Sequence, residues 1–81
     1  MRLTGDVVLY GRPTFFDVDV ELAPSETSGY FVAPPDKVVR IETYRLVLSD
    51  GRSGEVHVNR IGNAGASEVG HFTVLEKWTR S

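Results

Sequence analysis

From Val38 to Ile61 the chain carries two alternating, β-branched runs, Val-Val-Arg-Ile-Glu-Thr-Tyr-Arg-Leu-Val-Leu and Glu-Val-His-Val-Asn-Arg-Ile, around Ser-Asp-Gly-Arg-Ser-Gly. Alternation of this kind on both sides of an Asp-Gly pair is the strongest short-range signature of a β-hairpin. The faces follow from the period of two: Tyr44, Leu46 and Leu48 share one side, as do Val56 and Val58. A two-residue Asp50-Gly51 loop would set Leu46 opposite Glu55, a core position against a solvent position, and is excluded. A three-residue loop, Ser49-Asp50-Gly51 with Gly51 in the left-handed region, restores the match. The apolar phase is odd at Val39 and Ile41 but even from Tyr44, which predicts a β-bulge near Glu42-Thr43.

The rest of the chain reads in the same alphabet. Arg2 to Tyr10 alternates with Leu3, Gly5, Val7 and Leu9 inward, and Gly11-Arg12-Pro13 breaks it. Thr14 to Leu22 alternates again, with Phe16, Val18, Val20 and Leu22 inward and Phe15, Asp17, Asp19 and Glu21 outward. A four-residue turn from Gly11 to Thr14 would pair Leu9 with Phe16, Val7 with Val18, Tyr10 with Phe15 and Asp6 with Asp19. Ala23 to Gly29 is a surface loop, and Tyr30 to Ala33 a brief edge strand stopped by Pro34-Pro35. Gly62 to Glu68 is too glycine-rich for a helix and is expected to be a loop. Val69 to Lys77 is the last strand, ending or bulging at Leu75, with Phe72 beside Val58 and Val74 beside Val56.

Six strands, no helix and no internal repeat predict an all-β domain spanning residues 1–81, an antiparallel meander curled into a small barrel, with a two-sheet sandwich as the alternative. Closure is favoured because a short chain manages exposed sheet edges best by abolishing them.

Composition narrows the function classes. The 81 residues include no cysteine, so there is neither a disulfide framework nor a thiolate metal site, and only two histidines. No apolar stretch is long enough for a membrane span, and the expected address is the cytoplasm. Nine bases and eleven acids are interspersed, so no whole-domain field draws the chain to nucleic acid or anionic lipid.

Four surface features are candidates for function. Tyr10 and Phe15 are expected to stand together outside the first hairpin with Arg12 at its tip, a composition typical of interface hot spots unless a loop or a second subunit covers the rings. Trp78 either caps a barrel end or joins that interface. Arg40, Arg45 and Arg60, with the available aromatics, form the alternative, an oligonucleotide-binding face, though Glu42, Asp50 and Glu55 interrupt it. Asp6, Asp17, Asp19 and Glu21 make an acidic row that reads as a solvated face. His57, His71 and Glu55 are the only acid, base or metal-ligand candidates, and they face solvent in this register. No motif implies a cofactor or metal, and a domain this small has little room for a catalytic pocket. The expectation is therefore a non-catalytic binding or assembly module that contacts a protein partner or a copy of itself through Tyr10, Arg12, Phe15 and Trp78.

Overall fold

The computed structural model describes residues 1–80, and its seven strands are β1 (Arg2–Leu9), β2 (Arg12–Leu22), β3 (Ser28–Val32), β4 (Thr43–Leu48), β5 (Arg52–Ala64), β6 (Ser67–Val74) and β7 (Thr79–Arg80). The first six form a closed antiparallel barrel. Strands β1-β2-β3 are one three-stranded meander and β4-β5-β6 another; β3 pairs with β6 and β1 with β4, so the two units seal each other's edges. The barrel is thus obtained rather than the sandwich. β7 adds two residues to the end of β5, pairing Arg80 with Arg52 and Thr79 with Ser53. Among the described residues no helix is long and apolar enough to cross a membrane.

The central hairpin has the register its alternation demands. Val47 pairs with Ser53, Arg45 with Glu55 and Tyr44 with Val56, which leaves Ser49-Asp50-Gly51 as the loop. Gly51 has φ +95° and donates its N–H to the Leu48 carbonyl at 3.1 Å. Tyr44, Leu46, Leu48, Val56 and Val58 all lie in the core. Upstream the expectation fails: β4 begins at Thr43, and no bulge is needed because residues 37–42 are not strand. This link crosses the barrel end instead. Val39 plugs it, 2% exposed, while Val38 and Ile41 point to solvent. Polar contacts hold it there: the Val39 N–H donates to Glu68 Oε1 at 2.7 Å and the Arg40 N–H to the Tyr44 hydroxyl at 3.0 Å.

The first hairpin departs from its expected register. Leu9 pairs with Arg12 around a two-residue turn, Tyr10-Gly11, in which both φ values are positive, at 52° and 75°, the mark of a type I′ turn. Val7 then faces Phe15 and Gly5 faces Val18, so Phe16 and Asp17 together oppose Asp6. This is a β-bulge, with Asp17 at φ +52° and its N–H donated to Asp6 Oδ1 at 3.0 Å. The bulge inverts the phase of the strand. Phe15, expected outside, is 3% exposed, and Phe16, expected inside, is 64% exposed. Val18, Val20 and Leu22 remain inside.

Two further elements differ. β3 is not an edge: β2 flanks it on one side and β6 on the other. The expected loop after Ile61 is largely strand, because a two-residue Gly65-Ala66 turn with Gly65 at φ +63° joins Ala64 to Ser67 and carries β5 past β4 as an arm backed by β6. β6 keeps the expected register, Val56 with Val74 and Val58 with Phe72, and ends at Val74. A bulge at Asn59 shifts the pairing so that Arg60 faces His71.

Phe31 is the hub of the core. Its ring lies 5.7 Å from Tyr44 and 6.3 Å from both Phe15 and Phe72, within the range where aromatic pairs attract. Gly70 makes room for it, since a Cβ there would sit 2.8 Å from the Phe31 ring.

The inverted phase of β2 is directly testable. Phe15→Ala is expected to destabilise by about 3–4 kcal/mol, whereas Phe16→Ala should stay within about 0.5 kcal/mol of the parent; urea denaturation of the two variants measures both.

Candidate functional site

The pairings of five strands place two rows of side chains on the outside of the barrel. Arg2, Glu21, Tyr30, His71 and Arg60 stand in register across β1, β2, β3, β6 and β5, and Thr4, Asp19, Val32, Val69 and Gly62 form the adjacent row. Because the far half of β5 extends past β4 beside β6, the second half of these rows lines an open cleft of about 550 Å³. Tyr30, His71 and Arg60 form one wall of residues, over Val32, Val69 and Gly62.

Each part of the cleft has a local cause. The Asn59 bulge turns Arg60 to the outer face beside His71. Tyr30 and His71, directly paired across β3 and β6, tilt against each other with ring centroids 5.7 Å apart. Gly62 keeps the middle open, for a Cβ at this position would meet His71 Nε2 at 3.2 Å. Burial pushes the His71 imidazole below its ordinary pKa, and the nearby Arg60 charge lowers it further. Arg60 itself is exposed and, among the described residues, forms no ion pair. The cleft therefore offers a guanidinium without an ion pair among the described residues, an imidazole whose pKa is lowered, and an aromatic face above an aliphatic floor. A neighbouring hollow of about 370 Å³ shares Val32 and adds exposed Phe16 with Pro34 and Pro35.

The residues singled out from the sequence are dispersed differently. Tyr10 is 79% exposed on the type I′ turn, and its hydroxyl donates to Glu42 Oε2. That hydrogen bond and the Glu42 charge raise the phenol above its ordinary pKa. Arg12 is exposed beside the turn, but Phe15 is in the core, so no Tyr10-Phe15 surface pair exists. The cause is the Phe16-Asp17 bulge, which no alternation count records. Trp78 caps a barrel end: its ring covers Gly54, where a Cβ would come within 2.9 Å, and its Nε1 donates to the Glu26 carbonyl at 2.9 Å. The Arg52 guanidinium sits 6.0 Å from the ring centroid and is itself held by Asp50 at 2.8 Å and Glu26 at 3.0 Å.

Nor do the three arginines share a groove. Arg45 pairs across from Glu55 and donates to Ser53 Oγ at 3.0 Å, Arg40 lies in the link over the barrel end, and Arg60 stands in the cleft. Five residues of strand separate the Glu55 and Arg60 positions, roughly 16 Å. The acidic row is likewise divided: Asp6 accepts from the Asp17 N–H, and Glu21 binds the terminal ammonium at 2.8 Å. His57 shares a 3.1 Å hydrogen bond with Thr43 Oγ1, while His71 faces Arg60. Among the described residues no group of three or more His, Cys, Asp or Glu is placed to hold a metal ion.

Comparison with known proteins adds no identity: no family model, no curated protein and no solved structure matches the chain.

Two titrations check these electrostatics. The His71 ring, followed by NMR, should titrate below the ordinary imidazole value, and Arg60→Ala should move its midpoint upward by removing a like charge. At Asp50, burial acts to raise the carboxyl, but the Arg52 backbone and guanidinium hydrogen bonds, with the Arg52 and Arg80 charges, outweigh it and hold the group below its ordinary value. A depressed carboxyl stabilises the fold above the unfolded-state pKa and loses that contribution as pH falls through the folded value. Asp50→Asn should therefore cost about 1 kcal/mol near neutrality, with the difference from the parent shrinking on acidification, as measured by thermal melts across that range.

Proposed function

We propose that this barrel is a non-catalytic binding or assembly module that engages a protein partner through the outer cleft of β3, β6 and the β5 arm. One observation carries the reading: Tyr30, His71 and an ion-pair-free Arg60 stand in register over Val32, Val69 and Gly62. Aromatic and arginine side chains over an apolar floor are the composition that dominates binding energy at protein interfaces. Among the described residues no carboxylate lines this cleft. The complementary partner surface is thus an acidic side chain beside an apolar one, the acid satisfying Arg60 and the apolar group covering Val32 and Val69. The same lack of a carboxylate leaves His71 without the acid that would orient it for proton transfer, which supports a binding rather than a catalytic role.

The Tyr10-Arg12 tip is left a secondary place in this reading, since Phe15 no longer contributes to it. Phe16 takes over as the exposed aromatic of β2, next to Pro34 and Pro35 at the border of the cleft. We place the protein in the cytoplasm, on the support of a sequence without cysteine.

The test is capture of partners from host lysate on the immobilised protein after nuclease treatment. Arg60→Glu and Tyr30→Ala should each reduce recovery of a specific partner at least about tenfold with unchanged circular dichroism, while Tyr10→Ala should leave it intact. Undiminished capture by both cleft variants removes the proposal. Capture that disappears with nuclease, or collapses as salt rises from about 50 to 200 mM, replaces it with the nucleic-acid reading.

A further inference from the structure

The barrel leaves one stretch of β5 open beyond the start of β4. β4 pairs with β5 from Thr43 opposite His57 to Val47 opposite Ser53, and its last contact beyond is the Val58 N–H donated to the Glu42 carbonyl at 2.9 Å. From there to Ala64 the β4 side of β5 has no strand beside it, while β6 continues on the other side to Ser67.

The direction of the backbone groups follows from the turn. Ala64 and Ser67 close a two-residue hairpin loop and are a hydrogen-bonded pair, so the pairs Gly62–Val69 and Arg60–His71 are hydrogen-bonded as well. The alternation agrees with β6, where the Glu68 carbonyl turns the other way to accept the Ala33 N–H at 2.9 Å. Ile61 and Asn63 therefore direct both their N–H and C=O groups outward, and neither finds a partner among the described residues.

The chain treats its other open edge differently. β2 lacks a β3 neighbour along its first half, but Pro13 has no N–H to offer, and the bulge turns the Asp17 N–H inward to Asp6. The near end of β5, at Arg52 and Ser53, is covered by β7. The stretch from Ile61 to Ala64 has none of these protections: no proline, no charge and no covering strand, and it is exposed at Ile61, Asn63 and Ala64.

We propose that this edge pairs with the same edge of a second copy of the chain, antiparallel and centred on Gly62. The outward groups are self-complementary about that point. In this register Ile61 of each copy faces Asn63 of the other, and the two pairs exchange four backbone hydrogen bonds, using every outward group of the straight segment. The two Gly62 residues form the non-hydrogen-bonded pair between them, where Cα atoms approach to about 4.5 Å, within the range a disulfide can bridge. Arg60 falls opposite Ala64, so no like charges meet across the seam. The inference stands on backbone geometry and does not depend on what occupies the Tyr30-His71-Arg60 cleft; it would set the two clefts side by side on one continuous sheet.

Sedimentation of the parent protein from micromolar to millimolar concentration should show a monomer–dimer equilibrium. Asn63→Pro deletes an outward donor that the β5–β6 ladder does not use, and Ile61→Lys places a charge at the edge. Each should raise the dimer dissociation constant at least about tenfold with an unchanged circular dichroism spectrum. As the chain has no cysteine, Gly62→Cys should cross-link into a disulfide dimer on mild oxidation, and Arg60→Cys should not. A parent that stays monomeric at millimolar concentration overturns the proposal, as does a dimer that both edge variants leave intact. Cross-linking through Arg60→Cys in place of Gly62→Cys overturns the register.

Discussion

Closure of the sheet is the constraint on which everything else depends. Two three-stranded meanders with no helix to cover them would each leave two strand edges carrying unpaired backbone groups, an arrangement with marginal stability and a tendency to associate. Joining β3 to β6 and β1 to β4 satisfies those groups and wraps the apolar faces around Phe31. Closure requires bent strands; of the three register shifts in the barrel, one lies at Thr14 in β2, and the other two are the bulges at Phe16-Asp17 in β2 and Asn59 in β5. Both lie in the middle strand of a meander. Each re-aims a side chain as it bends the strand: Phe16 is turned out of the core and Arg60 is brought beside His71.

What was legible in the sequence follows from this division between local and distant causes. The hairpin from Tyr44 to Val58 is specified by its own alternation and by Asp50-Gly51, so its faces, its three-residue loop and the left-handed Gly51 could be read without a structure. The phase at Phe15 and Phe16 could not. Either aromatic continues an apolar face, and the choice is made by closure and by Asp6, a residue eleven positions away whose carboxylate takes the Asp17 N–H. Similarly, the Val38–Glu42 segment has the composition of a strand, yet the open barrel end needs a plug more than β4 needs length, and Val39 supplies it.

The candidate cleft was hidden for the same reason. Tyr30, His71 and Arg60 come from three strands, and their meeting rests on two registers and a one-residue bulge. Pro34-Pro35 made β3 look like an edge, which would have left Tyr30 without a neighbour on one side. The available signal was the short apolar run itself: Phe31 must be buried, so its neighbours Tyr30 and Val32 must lie together on the outer face between whichever strands flank them.

Phe15, Phe31, Tyr44, Phe72 and aliphatic side chains fill the interior of the six-stranded barrel. The two meanders are not equivalent on the outside. In the first, β2 outruns its neighbour β3 and is blunted by Pro13 and the bulge. In the second, β5 alone outruns its neighbour, continuing past the start of β4 to Ala64 beside a β6 that β3 still flanks. The extension of β5 costs little, because β6 satisfies its inner backbone groups. It also creates what a closed barrel lacks: a concave outer surface on one side and a free backbone edge on the other. The same extension of β5 past β4 thus produces both the cleft and the edge, and it starts at the Asn59 bulge that brings Arg60 beside His71.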